Sequence, residues 1–272
     1  RGKDELAELG NTFDAMLNRL QAAFERQRQF TADASHELRT PLTIINLETG
    51  RALTSRRSID EYERIMRTIQ SENHFMIRLV NNLLSLARMD AGQVKLKTEL
   101  LDLSALVSEV IERMQPLAAA QGVELDVGDL PEITVMGDHS TLVQMLTNLV
   151  ENAVKFSAGV PNAQVNISAG KQEEGSGKLA WVRVKDNGIG IATENLGRIF
   201  DRFYQVDAAR NRVDGNEGEA EEQGSSGTGL GLAIANWIAQ AHHGTIRVES
   251  ETGKGTTFEV VLPESNHDSI AQ

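Results

Sequence analysis

Apolar residues recur at Leu6, Leu9, Phe13, Met16, Leu20, Ala23, Phe30 and Ala34, with Gln27 in the one polar slot, in steps that alternate three and four. A stripe this narrow and this long is a heptad seam, and it predicts a parallel two-stranded coiled coil. Helical patterning continues past Pro41 to about Leu53, and the polar stretch Thr54 to Ser58 reads as a turn. A second helix is predicted from about Ile59 to Arg88, with Tyr62, Ile65, Ile69, Met76, Leu79, Val80, Leu83 and Leu86 on its apolar face. Two such helices form a hairpin that buries little alone, and two copies would make a four-helix bundle.

After Asp90-Ala91-Gly92 the periodicity changes. Helices are predicted at Leu103 to Ala120, Ser140 to Phe156 and Leu230 to Ala241. Short or alternating runs predict strands at Val123 to Val127, Ile133 to Met136, Val165 to Ser168, Leu179 to Lys185, Thr245 to Glu249 and Thr256 to Leu262. The expected fold class is therefore multidomain, α followed by α+β, with a dimeric helical hairpin ahead of a sheet-containing domain. Asp207 to Ser226 has almost no apolar residues and predicts a mobile acidic loop that joins no core.

Composition narrows the function classes. The 272 residues suffice for two domains and an appendage, and 40% are apolar. A net charge of −12 disfavours direct nucleic-acid binding. The absence of cysteine excludes disulfides, thiolate metal sites and thiol catalysis. No run approaches the ~18 apolar residues of a membrane span. The chain starts at Arg1, as a fragment of a longer protein would.

Four clusters carry candidate chemistry. In Ser35-His36-Glu37-Leu38-Arg39-Thr40-Pro41, Ala34 and Leu38 take the seam and leave His36 toward solvent. Glu37 is placed to accept or orient the imidazole proton, which would make the other ring nitrogen the better nucleophile. Thr40 shares the face of His36 one turn on, and Pro41 removes an amide donor beside it. Asn148, Asn152 and Lys155 share a second helix face, where amide oxygens suit Mg²⁺ and the ammonium suits a phosphate. A solvated polar face would explain that cluster as well. Asp186 ends a strand that runs into Gly188 and Gly190, where missing Cβ atoms would let backbone approach a flat ligand. Gly227-Thr228-Gly229-Leu230-Gly231 enters a helix whose N-terminus offers amides to phosphate. The other histidines read as surface or cap residues: His74, His139 and His267 as surface, and His242-His243 as a helix C-terminal cap.

Taken in order, these motifs resemble those of the sensor histidine kinases. His36-Glu37-x-x-Thr40-Pro41 is similar to the family's phosphoacceptor motif, and Asn148 to Lys155 to its asparagine motif. Asp186 to Gly190 and Gly227 to Gly231 are similar to its two glycine motifs, and Arg198 to Gln205 to its phenylalanine motif. The resemblance covers nearly the whole chain. It implies a HAMP-like signalling helix at residues 1–25, a dimerisation and phosphotransfer domain at 26–92, an α/β-sandwich ATP-binding domain at 96–264, and a tail at 265–272. It further implies a homodimer using ATP and Mg²⁺, autophosphorylation of His36, and transfer to an Asp of a response-regulator receiver. Glu37 would be the base and Thr40 would help dephosphorylate the regulator. Asn152 would ligate Mg²⁺ with Asn148 in support, and Asp186 would bind adenine. The HAMP-like start implies a membrane-anchored parent whose cytoplasmic portion this is.

Two departures from the family stand out. Many relatives have Arg where this chain has Gln205, so the resemblance implies either that Arg202 or Lys155 compensates at the γ-phosphate or that phosphotransfer is slower. The stretch from Asp207 to Ser226 is longer and more acidic than the usual lid. Two rival classes remain at this level: a non-catalytic signalling scaffold, and a gyrase- or chaperone-like ATPase of the same nucleotide fold.

Overall fold

The computed structural model describes residues 2–174, 177–206 and 227–265. The expectations for Asp207 to Ser226 and for His267 lie outside the described residues, as do the side chains of Leu6, Leu9 and Ala23. The chain divides into two compact units, residues 1–83 and 84–272.

The first unit holds two helices, α1 (Gly2–Thr54) and most of α2 (Ile59–Asp90). The turn is sealed by a capping box at the start of α2. Ser58 Oγ accepts the Glu61 amide at 3.2 Å, and Glu61 Oε2 accepts the Ser58 amide at 3.0 Å. These two bonds satisfy donors that the helix start would otherwise leave open, and they fix where α2 begins. Helix α1 runs uninterrupted through Pro41, which is itself buried. A single copy leaves much apolar surface open. Phe13, Met16, Leu20 and Phe24 are exposed on α1, as are Leu47, Ile59, Met66 and Ile77 further along the hairpin. An open groove lined by Ile45, Ile59, Tyr62, Met66 and Ile69 lies between the helices.

The second unit is built on a five-stranded mixed sheet, order β2-β4-β5-β7-β6, comprising β2 (Glu124–Val127), β4 (Gln164–Glu174), β5 (Gly177–Asp186), β7 (Gly255–Pro263) and β6 (Thr245–Glu251). Only β2 and β4 run parallel. A second, two-stranded sheet pairs β1 (Glu99–Asp102) with β3 (Thr134–Gly137). Alternation sets the faces: Ala180, Val182, Val184 and Asp186 of β5 point inward, while Arg183 and Lys185 are exposed. The inward face packs on α3 (Leu103–Ala120), α4 (His139–Ser157) and α6 (Gly231–Ala241), whose Val107, Leu149, Val150, Ile234 and Ile238 are almost fully buried. A short helix, α5 (Thr193–Leu196), follows the first glycine motif. Aspartates cap α3 and α4: Asp102 accepts the Ser104 amide, and Asp138 the Thr141 amide at 3.0 Å.

Candidate active site

In the hairpin unit His36 and Thr40 are exposed on α1, and Glu37 is half-buried. Burial pushes the Glu37 carboxyl above its ordinary value, neighbouring His36 pulls it down, and Asp33 adds to the rise. A carboxylate held this way grips a proton more firmly than an ordinary glutamate, which suits a base for the adjacent imidazole.

In the sheet unit Asp186 sits at the inner end of β5, 4% exposed. Its Oδ1 accepts the Gly188 amide at 2.9 Å and the Thr256 amide at 3.1 Å, and its Oδ2 takes no hydrogen bond from the described residues. Burial raises its pKa, and the two amides only partly offset that. The second oxygen is therefore an acceptor still open to a donor, such as the amino group of a purine.

Gly188 and Gly190 are also required by the protein's own packing. A Cβ on Gly188 would lie 2.3 Å from the Phe156 carbonyl oxygen, and one on Gly190 would lie 2.1 Å from that of Glu251. Both glycines admit the protein's own backbone: the end of α4 in one case and the β6–β7 turn in the other. Gly190 also has φ +68°, which an L side chain resists. Around this loop Ile189 donates to the Phe156 carbonyl, and Ile191 donates to Ser250 Oγ at 2.8 Å.

Helix α4 and the second glycine loop come together as expected. Asn148 Nδ2 donates to the Gly231 carbonyl at 3.0 Å, which fixes the amide orientation and leaves Oδ1 turned from that bond. Lys155 reaches the loop, since a Cβ on Gly227 would lie 3.3 Å from its Nζ. Asn152, half-buried one turn after Asn148, has no hydrogen bond among the described residues. Leu230 is fully buried and anchors the loop, and Thr228 is buried beside it. Helix α6 begins without a side-chain cap, which leaves its first amides for an anion. Gly229 (φ +66°) lies against the Phe203 backbone, whose amide donates to the Gly229 carbonyl at 2.9 Å.

Two residues of the phenylalanine motif sit otherwise than their sequence suggests. Arg202 forms a bidentate pair with Asp90, at 2.8 and 2.6 Å. A carboxylate matches the guanidinium fork, and Asp90 is its partner within the same unit. Gln205 donates to the Gly227 carbonyl at 2.7 Å and so braces the glycine loop. Sequence reading missed both bonds, because each joins residues far apart in the chain.

Residues 26–92 match the family described as the His Kinase A (phospho-acceptor) domain, and residues 137–266 match the Histidine kinase-, DNA gyrase B-, and HSP90-like ATPase family. Sensor histidine kinase CusS of Escherichia coli O157:H7 is 37% identical over 261 residues, which is 96% of this chain and 50% of that protein. Sensor histidine kinase WalK of Bacillus subtilis is 37% identical over 243 residues, 88% of this chain and 37% of that protein. Among solved structures, full-length ShkA in complex with AMPPNP superposes with a TM-score of 0.60 at 29% identity, over 88% of this chain and 46% of that one. The chain thus spans half or less of the curated relatives it matches. The chain belongs to the sensor histidine kinases, as a phosphoacceptor hairpin followed by an ATPase-type domain.

Proposed function

We propose that this chain transfers the γ-phosphoryl group of ATP to His36 and passes it on to an aspartate of a response-regulator receiver domain. The observation that carries the reading is the exposed His36 beside a half-buried Glu37 of raised pKa, in one chain with a purine-ready Asp186. One imidazole nitrogen attacks the γ-phosphorus, the bond to the β,γ-bridging oxygen breaks, and ADP leaves. Glu37 takes the proton from the other ring nitrogen. Asp186 binds the adenine amino group, and the amides at the start of α6, with Lys155, bind phosphates. Catalysis is chiefly positioning and charge neutralisation.

Mg²⁺ fits the donors present. Asn152 offers an unengaged amide and Asn148 an oxygen, and the described residues contain no cluster of three or more His, Asp or Glu. An ion held here would share its shell with phosphate and water, as Mg²⁺ prefers, and would supply charge neutralisation. The exposed apolar face of the hairpin supports a homodimer with a four-helix bundle. Thr40, exposed one turn from His36, supports phosphatase activity toward the regulator. No described helix is long and apolar enough to cross a membrane. A membrane-anchored parent with a HAMP segment before this region is the arrangement the N-terminal helix supports.

Incubation with γ-labelled ATP and Mg²⁺ tests the proposal. The expected result is an acid-labile, alkali-stable label that His36→Gln and Asn152→Ala both abolish. Nucleotide binding without any label in the unmodified protein would overturn it in favour of a scaffold.

A further inference from the structure

His242 has no part in the chemistry above, yet it is 5% exposed and both its ring nitrogens are engaged. Nδ1 lies 2.8 Å from the Ile238 carbonyl oxygen, and Nε2 lies 3.0 Å from the backbone nitrogen of Asp138. A carbonyl only accepts and an amide only donates, so the ring carries its proton on Nδ1 and accepts through Nε2. The first bond is local to α6 and caps its last turn. The second crosses to the N-cap of α4, 104 residues away. Gly137 lies against both the ring and α4, since a Cβ there would lie 2.5 Å from Leu142 Cδ1 and 3.1 Å from the ring's Cδ2.

The crossing bond has a counterpart. Helices α4 and α6 pack antiparallel, because the start of α4 meets the end of α6 and Asn148 meets Gly231 at the start of α6. The pair is therefore tied at two points separated by about 15 Å of helix. One tie, Asn148 to Gly231, lies inside the nucleotide site, and the other, Asp138 to His242, lies well outside it. With both in place, α4 and α6 have little freedom to slide, and Asn152 and Lys155 hold register with the glycine loop. With the outer tie gone, only the inner one and apolar packing set that register.

We infer that His242 is a positioning residue of the nucleotide site, acting through its bond to the Asp138 amide and not through its capping of α6. The inference rests on the nucleotide reading of the Asn148–Gly231 region. Glutamine and asparagine separate the two roles, because Gln Oε1 falls near the place of Nε2 while Asn Nδ2 falls near that of Nδ1. His242→Gln keeps the crossing bond and loses the cap, and His242→Asn does the reverse.

The test measures affinity for N-methylanthraniloyl-ADP with Mg²⁺, the KM for ATP and kcat of autophosphorylation, with thermal unfolding as the check on folding. The expected result is that His242→Asn weakens nucleotide binding and raises KM about tenfold with kcat within about twofold, a scale set by sub-ångström misplacement of binding groups. His242→Gln is expected to stay within about twofold of the unmodified protein on all three. Equal behaviour of the two variants at matched stability, or a larger loss in His242→Gln, overturns the inference. If either variant is unfolded at 25 °C, the comparison is made at 10 °C, and failure of His242→Asn to raise KM above that of His242→Gln there overturns the inference. An unmodified protein that binds no nucleotide overturns the nucleotide reading first and this inference with it.

Discussion

Among the described residues, two carboxyl groups are held above their ordinary pKa, and they sit in opposite surroundings. Glu37 lies on a helix face, half-buried, with His36 beside it. Asp186 lies at a strand end, 4% exposed, with two backbone amides on one oxygen. Burial is the leading cause in both, but the counterweight differs: a titratable neighbour for Glu37 and fixed amide dipoles for Asp186. A group balanced against another titrating group is set up to exchange a proton with it. A group balanced against amides that never titrate keeps its hydrogen-bonding pattern while ligands come and go.

The sharpest way to separate the two is at Glu37. On the role of base proposed for Glu37, Glu37→Gln removes that base, and autophosphorylation should fall by about 100- to 10,000-fold, the usual worth of a positioned base. In the unmodified protein the base works only when ionised. Because its pKa is raised, activity should decline with falling pH from above the normal glutamate range, and the residual activity of Glu37→Gln should lack that acid limb. A pH–rate profile that keeps the limb in the variant would assign it to another group.

A smaller effect is expected from Asp186→Asn. The amide oxygen can still accept from Gly188 and Thr256, but the second atom becomes a donor where an acceptor is needed. Loss of one charge-assisted hydrogen bond should weaken nucleotide binding about 10- to 100-fold by titration. Stability should move the other way. The folded state holds the Asp186 proton more tightly than the unfolded chain does, so its ionisation costs stability once pH exceeds the ordinary aspartate value. At pH 7 the variant should therefore unfold at an equal or higher temperature, and a clear drop in Tm would contradict the electrostatic account.

The smallest effect concerns neither carboxyl. Asp90→Ala breaks the pair with Arg202, whose partners are 41% and 35% exposed, so the loss in unfolding free energy should be about 1 kcal/mol or less. A larger loss in denaturant titration would show that the pair is coupled to the buried Leu86 and Met89 of the same helix end.

Legibility in the sequence followed the range of the forces involved. Helix α3 spans Leu103 to Ala120, as its apolar periodicity indicates, because helix patterning is local. Strand β1 was invisible: four residues, Glu99–Asp102, become a strand only by pairing with Thr134–Gly137. The asparagine and glycine motifs announced which residues gather, and Asn148 does meet Gly231. Motif reading gave no sign that Gly188 and Gly190 make room for the carbonyls of Phe156 and Glu251. It read His242 as a cap alone and did not foresee the Arg202 pair, because the Asp138 and Asp90 bonds depend on tertiary approach.

Strand β7 lies between β5 and β6, and its Thr256 supplies one of the two amides that hold Asp186. The two-amide cradle of Asp186 is therefore among the last parts of this unit to become possible on the ribosome. On the roles proposed for Asp186 and His36, a nascent chain that already displays His36 has no place for adenine until residues past 256 have emerged. Synthesis order would then keep a half-made chain silent, since the proposed phosphoacceptor is translated early and the means to charge it arrive late.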